Sequence, residues 1–126
     1  MRMQHFYASL FGLVAAAAGN AADPKRADEL SEVRGSIVFQ TYCVLCHGPN
    51  ADGKGRAAKN YNPPPANLTT SIRSDAYKSE IIRKGGAAMN RSSFMPPWGQ
   101  ELSKEQVVDV IVYLRAINVN NRSKSK

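Results

Sequence analysis

Cys43-Val-Leu-Cys46-His47 contains both cysteines of the chain and one of its two histidines, and no other stretch narrows so far what the chain can fold into. Two thiols at this separation can form a redox disulfide, supply half of a zinc site or carry a covalent cofactor. Which of these applies depends first on the compartment. The chain opens MRMQHFYASLFGLVAAAAGNAADP, with basic Arg2, an apolar run over residues 6–18, and small Gly19, Ala21 and Ala22 behind it. This is the pattern of a secretory leader, and the run is short for a bilayer span. Residues 1–21 are therefore expected to be a signal peptide, cut after Ala21 or Ala22, with 22–126 as one domain ending in a short basic tail. The expected location is the periplasm, with no integral membrane span after cleavage. An uncleaved anchor is the alternative.

In an oxidising compartment thiols seldom stay free, and a disulfide closing so short a loop constrains little of the unfolded chain. A zinc site needs four ligands, and beyond the two cysteines the mature chain offers His47 alone among histidines. A thioredoxin-like pair belongs between a strand and a helix, and no strand-like alternation flanks this one. Haem attachment remains, for which Cys-x-x-Cys-His is a specific signature. On one turn of helix, Cys43 and Cys46 can reach the two vinyl groups of a single haem, and His47 is carried beneath the iron.

The second axial position calls for a soft neutral donor far along the chain. Met89 and Met95 both qualify. Met95 is favoured, because Pro96 and Pro97 behind it restrict the backbone and hold its sulfur in a fixed position. The carbonyls of Pro63, Pro64 and Pro65 are acceptors in a stretch without N–H donors, suited to orienting the other ring nitrogen of His47.

The motif near the start of the mature chain, together with Met95-Pro-Pro-Trp98, resembles the class I c-type cytochromes, small bacterial carriers with one haem. The resemblance implies an all-α fold of three to four helices around one covalently attached haem c, with Cys43 and Cys46 as thioether positions and His47 and Met95 as axial ligands. It also implies that one of the three prolines accepts from His47, that Trp98 lies close to the haem edge, and that Gly35 and Phe39 meet Tyr113 on the last helix.

Helical signals agree with this. A first helix is predicted over residues 28–46, with Leu30, Val33 and Ile37 at helical spacing. A second is predicted over 74–84, capped by Ser74 or Asp75 and stopped by Gly85, with Ala76, Tyr77, Ile81 and Ile82 as its apolar side. In the last, Ser103-Lys-Glu-Gln106 reads as a capping box, followed by Val107, Val110, Ile111 and Leu114 at i, i+3, i+4 and i+7. Residues 48–68 read as a long loop around the haem, and the polar end from Asn120 is expected to fray.

With both axial positions taken by protein, the iron exchanges electrons and little else, so no catalytic residue is predicted. The expected function is a monomeric one-electron carrier. The alternatives are a haem c subunit of a larger oxidase or dehydrogenase, or a ligand-binding haem protein. The chain has 17 Lys+Arg against 10 Asp+Glu. Lys54, Arg56, Lys59, Arg73, Lys78, Arg83, Lys84 and Arg91 are expected to ring the haem edge and steer a redox partner with an acidic docking surface. No motif for nucleic-acid binding accompanies the charge.

Overall fold

The structure, a computed structural model, describes residues 23–122. The predicted leader over 1–21 lies outside the described residues. Five helices follow in order: α1 (Pro24–Tyr42), α2 (Val44–His47), α3 (Asp75–Lys84), α4 (Lys104–Ala116) and α5 (Val119–Arg122), with single 3-10 turns at Ala58–Asn60 and Ala87–Met89. The described residues contain no strand.

Each long helix begins on a cap written in the sequence. Ser103 Oγ accepts from the Gln106 N–H at 3.1 Å while Gln106 Oε1 accepts from the Ser103 N–H at 2.9 Å, the reciprocal box predicted for α4. Ser74 Oγ accepts from the Tyr77 N–H, and α3 ends at Gly85, also as predicted. The first helix differs from its prediction at both ends. It starts four residues earlier, at Pro24, where a missing N–H costs nothing in a first turn and Asp23 caps Lys25. It then kinks at Cys43 and makes one further turn, α2, instead of running unbroken to Cys46.

The apolar spacing of α1 also points the other way from expectation. Leu30, Val33 and Ile37 are 52%, 59% and 62% exposed, whereas Ser31, Gly35, Val38 and Phe39 are buried. The reason is how closely α1 crosses α4. A Cβ built on Gly35 would stand 1.9 Å from the Asp109 carbonyl oxygen and 2.9 Å from Tyr113 Cβ. So tight a crossing selects for small side chains at its centre rather than for large aliphatics. Four residues further on, Phe39 is fully buried with its ring centroid 5.4 Å from that of Tyr113. The expected meeting of Gly35 and Phe39 with Tyr113 is therefore observed, and burying Phe39 contributes about 1.5–3 kcal/mol. Val38, Val107, Val110, Ile111 and Leu114 continue this core, and Ile82 joins it from α3.

A polar clamp closes the other end of the crossing. The Asp109 side chain, 4% exposed, accepts from Arg34 Nε at 2.7 Å, from Arg34 Nη2 at 2.8 Å and from Ser31 Oγ. These bonds, led by the guanidinium, hold the Asp109 carboxyl below the usual aspartate range. At the far end of the chain, the predicted fraying is not observed through residue 122. The Val119 N–H donates to the Thr69 carbonyl at 2.9 Å and Asn118 Nδ2 donates to the Ser71 carbonyl at 2.7 Å, which docks α5 on the loop before α3. Residues 123–126 lie outside the described residues.

Two outcomes are expected. Gly35→Leu should abolish recovery of folded protein, because helix backbone rather than a flexible side chain occupies the space; a wild-type yield and melting curve would contradict the crossing. For Asp109, a carboxyl held low in the folded state contributes stability above its unfolded value of about 3.9 and loses it as pH falls through the folded value. Asp109→Asn should therefore melt with about 1–3 kcal/mol less stability at pH 7, and the gap from wild type should close below about pH 4. Denaturant melts of both proteins across pH check this.

Candidate functional site

The kink at Cys43 turns the end of α1 into a one-turn helix that carries Cys46 and His47. The His47 N–H donates to the Cys43 carbonyl at 2.9 Å, and the following loop folds back on the turn. The N–H groups of Gly53, Gly55 and Ala57 donate to the carbonyls of His47, Cys46 and Leu45 at 2.8, 3.0 and 3.0 Å. The motif is thus held rigidly by backbone bonds on both sides. Both cysteines are free and half-buried. Burial, and then the neighbouring Cys46, push the Cys43 thiol up to about 12. Among the described residues, no three of His, Cys, Asp and Glu gather as a metal-binding set.

His47 Nδ1 lies 3.0 Å from the Ala66 carbonyl oxygen. A carbonyl only accepts, so Nδ1 carries the proton and the lone pair is left on Nε2. Burial lowers the affinity of the ring for a second proton, which keeps it neutral as a donor to metal. The acceptor is one residue beyond the predicted run of Pro63, Pro64 and Pro65, which corrects that expectation. The Pro65 carbonyl instead faces Gly53, where an added Cβ would stand 2.5 Å from its oxygen. Gly53 admits this approach, and the next carbonyl, that of Ala66, is the one that reaches His47.

Met95 comes from the loop between α3 and α4. Its carbonyl accepts from the Gly86 N–H at 2.9 Å, and its own N–H donates to Ser92 at 3.3 Å. Just after it, the N–H groups of Trp98 and Gly99 donate to Ile82 and Arg83 at the end of α3, at 2.9 and 3.1 Å. The loop is pinned before and after Pro96 and Pro97, so the backbone at Met95 is fixed. Cys43, Cys46, His47 and Met95 all line one cavity of about 540 Å3, and Met89 is not among its lining residues. Trp98 lines it too, its ring 5.4 Å from Tyr42 in an edge-on contact.

Several lining residues were not predicted to belong to the site. Tyr42 immediately precedes the motif, and its position alone could have pointed to it. Tyr61 and Phe94, in a tilted contact with centroids 4.8 Å apart, line the cavity from two loops distant in sequence, and no local pattern pairs them. Of the eight cations expected around the haem edge, Arg73, Lys78 and Arg91 line the cavity. Lys78 is buried, at 9% exposure, rather than part of a solvated rim. The other five are exposed, and Lys84 is paired with Glu80.

A helical chain whose Cys-x-x-Cys-His turn opens into an apolar cavity is a c-type cytochrome domain. The family model described as cytochrome C oxidase, cbb3-type, subunit III matches residues 30–114, and the chain belongs to that family. Its architecture is the all-α cytochrome c fold, and the cofactor that goes with it is haem c. A solved chain of the reducing HAO-like protein complex of Kuenenia stuttgartiensis is similar, with 28% identity and a TM-score of 0.57 over 68% of this chain. This chain spans 41% of that relative's length. No curated protein matches the sequence.

Proposed function

We propose that the protein carries single electrons on one haem c joined through thioethers to Cys43 and Cys46, with His47 Nε2 and Met95 as axial ligands. The observation that carries this reading is the convergence of those four side chains on one apolar cavity. The haem, when bound, supplies an iron that cycles between two oxidation states. The chain does the rest. Ala66 fixes the tautomer and direction of the His47 ring. The backbone bonds around Met95 hold that stretch of chain in place, and Tyr42, Tyr61, Phe94 and Trp98 line the cavity around it.

A thioether donor favours the reduced metal, and exclusion of water adds to that preference, so the chain is built for a comparatively high potential. With His47 and Met95 both holding the iron, oxygen and small ligands would find no open coordination site. We further propose export to the periplasm, on the strength of the leader-like residues 1–21, and a redox partner with an acidic surface. Exposed Lys54, Arg56, Lys59, Arg73, Arg83 and Arg91 support the latter. A second reading, that the domain serves inside a larger redox assembly, is favoured by the Kuenenia relative, a chain of a protein complex and longer than this one.

Replacing Met95 with His should move the midpoint potential to more negative values, while Met89→Leu should leave it unchanged. Spectroelectrochemical titration of the purified holoproteins checks both. A potential that responds to Met89 and not to Met95 would overturn the assignment.

A further inference from the structure

The wall of the cavity is apolar except in one sector, where α3 and the loops on either side of it contribute Ser71, Arg73, Tyr77, Lys78, Arg91 and Ser92. Three of these are cations, and among the described residues no carboxylate lines the cavity. Arg73 and Arg91 are exposed and are arranged by Tyr77. The Arg73 guanidinium lies over the Tyr77 ring at 5.0 Å, and Arg91 Nε donates to its hydroxyl at 3.1 Å. Water can satisfy both. Lys78 differs, because its side chain is 11% exposed.

A lysine whose stem is buried this far holds its ammonium where a close anion stabilises it. The carboxylate nearest Lys78 Nζ is Asp75, one turn back on α3, at 3.5 Å. That is well beyond the roughly 2.7–2.9 Å of a strong charge-assisted bond. Asp75 is also shared, since its other oxygen accepts from Arg115 Nε at 3.1 Å. An ammonium has three donors, and one shared carboxylate at this distance leaves Lys78, which lines the cavity, with capacity for a further anion. A haem carries its two carboxylates on the edge away from its vinyl groups. If Cys43 and Cys46 hold the vinyl edge, the propionate edge needs a cationic wall elsewhere in the same cavity.

We infer that Lys78 receives a haem propionate, as a buried ion pair that seats the macrocycle and raises the potential of its iron. This rests on the proposed haem reading of the site. The electrostatic sign is fixed. A cation held near the iron disfavours the more positive, oxidised state, and a propionate left without its partner adds negative charge that favours it. Both effects of losing Lys78 lower the potential.

The test uses holoproteins with their haem attached. Lys78→Met, close in length and without charge, should shift the midpoint potential to more negative values with the visible spectrum unchanged. Lys78→Arg should restore most of the wild-type value. In the reduced wild-type protein, nuclear Overhauser contacts should connect the Lys78 ε-methylene to a propionate methylene. A Lys78→Met potential superimposable on wild type would overturn the inference. If that variant yields no holoprotein the contacts decide, and their absence in wild type would overturn it. Wild-type protein without attached haem would instead sink the reading of the site itself, and this inference with it.

Discussion

Gly35 lets α1 lie on α4 with backbone against backbone, and the direction in which α1 delivers Cys43, Cys46 and His47 follows from that crossing. All three anchors of the crossing lie about one turn or less from Gly35: the Phe39–Tyr113 contact ahead of it, the Ser31–Asp109 bond behind and the Arg34–Asp109 pair beside it. Arg34 completes the clamp. The helix pair is therefore set in both angle and register before the motif begins. The kink at Cys43 then swings one short turn inward, and the bonds from Gly53, Gly55 and Ala57 fix it against the loop. The chemistry of the site sits where the backbone is bonded on both sides.

The rest of the molecule is arranged around what the helices alone cannot fill. A small domain buries limited apolar surface, and here a large share of the inward-facing side chains line a cavity instead of one another. Tyr42, Leu68, Met95 and Trp98 each pack on the core with one side and bound the cavity with the other. On the proposed reading, a flat apolar macrocycle joined to the chain supplies the missing interior, and covalent attachment and fold belong to one design. The same cavity wall includes Met95, and on the inference drawn above a cation within it, Lys78, matters more to the iron than a charge on the rim.

Where a residue's role depends on chemistry close to it in sequence, it could be read in advance. Ser103 with Gln106, Ser74, Gly85 and the Cys-x-x-Cys-His spacing all act within a few residues, and all lie where local rules put them. Met95 was separable from Met89 by the two prolines that follow it, and the cavity includes the first and omits the second. What failed depended on distant partners. Leu30, Val33 and Ile37 have helical spacing, but hydropathy cannot register that the crossing needs Gly35 and Ser31 inside. The acceptor for His47 is the Ala66 carbonyl rather than a proline's, because the Pro65 carbonyl packs closely on Gly53 instead. Lys78 looked like one surface charge among eight, since burial of its stem depends on how α3 meets the cavity.

The central claim is that Cys43 and Cys46 are bonded to one haem. Treating the purified, pigmented protein with acidified acetone and then mapping its peptides by mass spectrometry tests it most directly. The account predicts that colour stays with the polypeptide and that a single peptide spanning both cysteines carries the mass of one haem. Pigment released into the solvent, or a haem-free peptide with both thiols available to alkylation, would contradict it.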